Sequence, residues 1–146
     1  MKRLITIVIS ILFVTCLSTV KAATVYKGAI GPYKVHVVLY DSRQGGFDGY
    51  YYYDNNPKSR FNLKVVEGDE CTSRQYKATG TNPEGCVQVV MYEYTPSGKN
   101  SGKFVGTMSS SQNASCWVDL IMGTFTNISN GKQYSFRVTS YDCSGY

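Results

Sequence analysis

The chain holds a single histidine, His36, and no Cys-x-x-Cys pair. It therefore lacks the clustered imidazole and thiolate ligands of a zinc site, and no metal or other cofactor is expected. One histidine also gives a hydrolase little to work with. General acid–base catalysis needs a partner within hydrogen-bond reach, and His36 lies in an extended run with no Asp or Ser pattern beside it. The acids Asp41, Asp48, Asp54, Asp119 and Asp142 fall mainly at strand ends or turns, where short polar side chains serve turn geometry. No carboxylate pair announces a glycan-cleaving centre, so no catalytic residue is assigned.

Long apolar runs and helical periodicity are missing too. The longest apolar stretch, residues 4–17, is broken by Thr6, Ser10 and Thr15. It falls short of the roughly 20 residues that a spanning helix requires. Proline occurs only four times, always between strand-like runs, where a missing N–H costs little.

That apolar stretch is preceded by Met1-Lys2-Arg3 and followed by Ser18-Thr19-Val20-Lys21-Ala22-Ala23. A basic start, an apolar centre and small residues at the cut make a secretory signal. Residues 1–22 are read as the signal and residues 23–146 as one domain, with cleavage after Ala22. Cys16 is not expected to carry lipid, since Phe13 and Thr15 stand where a lipoprotein signal has Leu and a small residue. The leader takes Lys2, Arg3 and Lys21 with it. Fifteen basic residues become 12 against ten acidic ones, and the formal charge falls from +5 to +2. So small an excess gives no reason to expect nucleic acid or stable membrane attachment. The expected location is secreted or periplasmic.

Four cysteines remain: Cys71, Cys86, Cys116 and Cys143. An even number in an exported chain favours disulfides, and strand register selects the pairing. Residues 116–125 and 133–141 read as two strands around the turn Ile128-Ser129-Asn130-Gly131. If Asn127 faces Lys132, then Ile121 faces Val138, Gly123 leaves room for Phe136, Phe125 faces Tyr134, and Cys116 meets Cys143. Opposed strand residues lie within disulfide reach. Cys71–Cys86 follows as the second bond.

The mature chain is a succession of short runs rich in Val, Ile, Tyr, Phe and Thr, punctuated by Gly, Pro and Asn. Strands are expected over residues 24–30, 33–40, 47–53, 60–66, 86–94, 103–109, 116–127 and 132–141. Residues 67–85 form a longer excursion, with a short strand at 75–78. The fold class is all-β: an antiparallel meander of about eight strands, closed as an up-and-down barrel or packed as a two-sheet sandwich. In residues 33–39, Tyr33, Val35, Val37 and Leu39 share the face expected to be core.

Tyrosine is the compositional outlier, with 13 residues, all after the leader. In the run Tyr50-Tyr51-Tyr52-Tyr53 alternate rings must face opposite sides of a sheet. One pair can fill the core; the other offers a contact surface, because Tyr joins apolar area to a polar tip. Tyr51 and Tyr53 are taken as that surface, with Lys58 and Arg60 of the following loop at its rim.

Gly28-Ala29-Ile30-Gly31, the strand from Tyr33 to Tyr40 and Gly49-Tyr50-Tyr51-Tyr52-Tyr53 together resemble a pattern in small exported bacterial β proteins of unassigned function. Gly102-Lys103-Phe104-Val105-Gly106 and Gly123-Thr124-Phe125-Thr126 extend the resemblance over most of the mature chain. The four cysteines and the 67–85 excursion depart from it. In size, export and disulfides the chain is also similar to periplasmic lysozyme inhibitors, whose inhibitory motif has no counterpart here. The expectation is a non-enzymatic protein-binding module, with inhibition of an envelope or secreted enzyme as its role and another protein as partner; a small molecule or a glycan is the alternative partner. A barrel that carries a small molecule is the alternative, and a glycan-acting hydrolase ranks last.

Overall fold

The computed structural model describes residues 22–42 and 46–144. Residues 1–21 of the expected signal segment, Cys16 among them, lie outside the described residues. Eight strands, β1 (Ala23–Ile30), β2 (Tyr33–Asp41), β3 (Phe47–Tyr53), β4 (Asn56–Glu70), β5 (Gly85–Tyr94), β6 (Asn100–Asn113), β7 (Cys116–Asn127) and β8 (Gln133–Asp142), follow one another as an antiparallel meander. β8 returns to pair with β1 and closes a barrel. Closure settles the choice between barrel and sandwich, and it removes the free sheet edges that a sandwich would leave.

The β7–β8 hairpin has the register the sequence dictates. Ile121 faces Val138, Gly123 faces Phe136 and Phe125 faces Tyr134, and the Asn127 amide donates to the Lys132 carbonyl at 2.9 Å. Both disulfides are present, Cys71–Cys86 and Cys116–Cys143. They lie at the same end of the barrel, the end opposite the tight turns after β1, β3, β5 and β7.

Inward-facing residues make the core. Val35, Val37 and Leu39 of β2 are buried with Leu63, Val65, Val89, Met91, Ile121 and Val138. Around them pack the rings of Tyr26, Tyr51, Phe104, Phe125 and Phe136. Phe104 meets Phe125 at 4.6 Å and the edge of Phe136 at 5.0 Å between centroids. These rings fit because two glycines face each other across β6 and β7, Gly106 opposite Gly123. A Cβ on Gly106 would fall 1.9 Å from the Met122 carbonyl oxygen, and one on Gly123 2.1 Å from that of Val105. The strands close up where the glycines stand, and the rings take the space.

The excursion corrects one expectation. Residues 75–78 belong to a short helix, α1 (Ser73–Ala78), not to a strand. Thr72 caps it: its hydroxyl accepts from the Gln75 amide while the Gln75 side chain accepts from the Thr72 amide. That reciprocal cap nucleates a helical turn in which Gln75, Lys77 and Ala78 are ordinary helix formers; the helix is too short for a helical period to show in the sequence. The excursion is stitched to the outer wall of the barrel by the disulfide, by the Cys71 amide on the Cys86 carbonyl, and by the Glu84 amide on the Ser110 carbonyl at 2.9 Å. Beside it Cys86, Ser109, Ser111, Val118 and Leu120 are buried, although they point away from the barrel interior.

Candidate binding face

Register fixes which tyrosines look outward. Tyr51 pairs with Val37 on one side and with Phe61 on the other, and both partners face inward. Tyr51 and Tyr53 therefore lie inside the barrel, and Tyr50 and Tyr52 lie outside. This overturns the expected contact surface. Tyr51 is 1 % exposed, stacked on Phe61 at 5.2 Å and edge-on to Phe104 at 5.8 Å. Tyr53 packs on Tyr51, Phe61 and Tyr33 at the turn end, where Tyr134 adds a further ring beside Tyr33. A carrier would need this interior for its ligand, and the protein's own rings occupy it.

Inside the barrel one carboxylate accompanies the rings. Glu93 is 4 % exposed; it accepts a hydrogen bond from the Tyr51 hydroxyl and another from Ser101 Oγ at 2.5 Å. Burial first, and then the nearby Glu93 charge, drive the Tyr51 phenol far above its usual pKa. Burial does the same to Tyr26, helped by Asp119, and burial raises Tyr53 as well. Asp119 accepts from Ser110 Oγ at 2.5 Å. The sequence signal for Glu93 was faint but real: Val89, Met91 and Glu93 alternate on one side of β5.

Outside, β2 to β5 carry successive rows of directly paired residues. Lys27, His36 and Tyr52 form one row. Val25, Val38, Tyr50, Asn62 and Tyr94 form the next. Tyr40, Asp48, Lys64, Tyr92 and Lys103 form a third, and Val66, Val90 and Val105 a fourth. Val66 and Val105 are about half exposed, and the tyrosine rings Tyr40, Tyr50, Tyr52, Tyr92 and Tyr94 are half-buried.

The rings are held in place. Tyr52 stacks on His36 at 5.1 Å and lies 6.5 Å from Tyr50. The Arg60 guanidinium sits 4.4 Å over the Tyr50 ring, and Lys103 lies 5.9 Å from the Tyr92 ring. His36 Nδ1–H donates to Asp54 Oδ1 at 2.8 Å, which fixes the imidazole that Tyr52 stacks on. So His36 does have a carboxylate partner; the sequence hid it because Asp54 lies 18 residues away, in the next turn. Arg60 stands over Tyr50 on the outer face and not at the rim of a Tyr51 and Tyr53 surface, and Lys58 is exposed two residues earlier on the same strand. The relation of Tyr92 and Tyr94 to Tyr50 has no local signal in the sequence, because it arises only when β4 bridges β3 and β5.

Among the described residues no three of His, Cys, Asp and Glu gather as metal ligands would, and no helix is long and apolar enough to cross a membrane. Comparison of the chain with family models, with curated proteins and with solved structures finds no match. The resemblance to small exported bacterial β proteins thus rests on the sequence motifs alone.

Proposed function

We propose that the protein is an exported binding module that holds another protein against the outer face of β2 to β5. One observation carries this reading: tyrosine rings stand in register on that face, ordered by Arg60 and His36, beside exposed valines. Pre-ordered aromatic rings lose little entropy on contact and are favoured at interface centres. Lys27, Arg60, Lys64 and Lys103 outnumber Asp48 on the face, and Asp54 is engaged with His36. Charge complementarity then favours a partner with an acidic contact surface, a secreted or envelope enzyme among the candidates.

The distribution of polarity supports action in water. Apolar residues fill the interior and charges cover the outside, the reverse of a barrel that faces lipid. Two intramolecular disulfides fit an oxidising compartment, in keeping with the leader that the sequence displays.

The test is capture from the exported fraction by the oxidised mature protein, followed by titration of the purified partner. Tyr50→Ala and Tyr52→Ala should each weaken binding by about tenfold or more, and added salt should weaken it further. Binding that survives loss of both rings would refute the reading, as would a partner held with no dependence on salt.

A further inference from the structure

A second concavity lies elsewhere on the outer wall, over β6, β7 and β8. The β1–β8 ladder holds only four residue pairs and stops at Lys27 opposite Thr139. Beyond that point the seam of the barrel opens. A groove of about 790 Å³ runs between the disulfide-stapled excursion and β8, and a smaller one of about 290 Å³ continues it towards β1. The two share Thr139 and Tyr141, so they adjoin at Tyr141 and are taken together as one trough. That ring is 65 % exposed.

We infer that this trough is a binding site for an acidic oligosaccharide. Its volume is that of a small-ligand site. Val118 and Leu120 give it an apolar floor, and Asn82, Asn113 and Thr139 line it with amide and hydroxyl groups. A pyranose presents the matching pair of surfaces, a C–H face and an edge of hydroxyls. Tyr141 offers the flat ring on which such a C–H face stacks. Arg137 lines the larger groove and Lys27 the smaller one, against a single acid, Glu84. Lys27 pairs with Thr139, two residues along β8 from Arg137, so the two cations stand diagonally across the β1–β8 seam and suit the carboxylates of an acidic sugar, Arg137 with the planar fork that carboxylates fit.

The walls are rigid, as a shallow site needs them to be. Cys71–Cys86 and the Glu84–Ser110 hydrogen bond pin one side, and Cys116–Cys143 ties β8 to the start of β7 two residues beyond Tyr141. The trough shares Val25 and Lys27 with the edge of the face on β2 to β5 but no tyrosine, so Tyr141→Ala and Arg137→Ala probe the trough alone and Tyr50→Ala and Tyr52→Ala that face alone.

The experiment is titration of the oxidised protein with tetragalacturonate, with cellotetraose as the uncharged counterpart, followed by calorimetry and by amide shifts in NMR. The expected result is saturable binding of the uronate, with shifts centred on residues 81–84, 111–114 and 137–141. Tyr141→Ala and Arg137→Ala should each lower affinity about tenfold, and Ile128→Ser, at the far end of the barrel, should not. Tyr141 is too exposed for its loss to threaten the fold, which far-UV dichroism would verify. No uronate binding at millimolar concentration, equal affinity for cellotetraose, or affinity indifferent to Tyr141→Ala would each overturn the assignment.

Discussion

Tyr51 and Glu93 meet inside the barrel, the phenol donating to the carboxylate, with Ser101 as the second donor. Removing the donor from a buried acceptor costs more than the bond itself contributes. Tyr51→Phe should therefore lower stability by about 1–3 kcal/mol, read as a shift of the urea midpoint. It should leave partner binding intact, since the hydroxyl is inside. A Tyr51→Phe variant as stable as the parent would show that Glu93 finds another donor.

Alkaline pH should unfold the protein. Tyr26, Tyr51 and Tyr53 titrate higher in the fold than in the unfolded chain, whose phenols ionise near 10. Below pH 10 both states keep these protons, and stability does not depend on them. Above it the unfolded chain loses protons that the fold retains, so stability falls as pH rises. Each tyrosine contributes up to about 1.4 kcal/mol per pH unit. Unfolding free energies at pH 9 to 11 would measure the slope, and a flat profile would contradict the burial of these phenols.

Gly123→Ala should be among the most damaging single changes. The new methyl would strike the Val105 carbonyl oxygen and the Gly106 backbone, neither of which can move without breaking the β6–β7 ladder. A loss of about 3 kcal/mol is expected, measured by thermal or urea unfolding. Gly80→Ala gives a useful contrast: space there is open, and only its positive φ of 66° opposes the change, a cost of about 1 kcal/mol.

The two disulfides should differ in what they protect. Replacing Cys116 and Cys143 together opens a 27-residue separation and replacing Cys71 and Cys86 a 15-residue one. Losses of about 3 to 4 kcal/mol are expected, the larger for the longer loop. The Cys71→Ala/Cys86→Ala variant should keep the barrel and its hairpin register, because Cys71 and Cys86 staple an excursion and not the closure. Intact mass after alkylation of the native protein should show no free thiol at any of the four.

Much of the fold was legible in the residues. Alternation along β2 named Val35, Val37 and Leu39 as core, although Tyr33, at the turn end of the same face, is half exposed, and the hairpin arithmetic of β7 and β8 named a disulfide, because both depend on the two-residue period of a strand and on one turn. Helix α1 is hard to read because its cue is a reciprocal cap, Thr72 with Gln75, and its six residues are too few to show a helical period. The Tyr50–Tyr53 run shows the boundary most clearly. Its alternation guarantees that two rings face in and two face out, yet not which two. That parity is inherited from β2 and β4, through Val37 and Phe61, and a shift of one residue would have reversed it.

The sequence by itself determined that this is a chain of short strands, paired by nearest neighbours and tied by two disulfides, since those properties come from local period, turns and spacing. Only the tertiary structure decided that the sheet closes, that Tyr51 and Tyr53 become core, that His36 gains Asp54 and that an excursion and an open seam frame a trough around Tyr141. Each of these needs residues far apart in the chain to meet, and their meeting is set by the closed circuit of strand registers, which no local window contains.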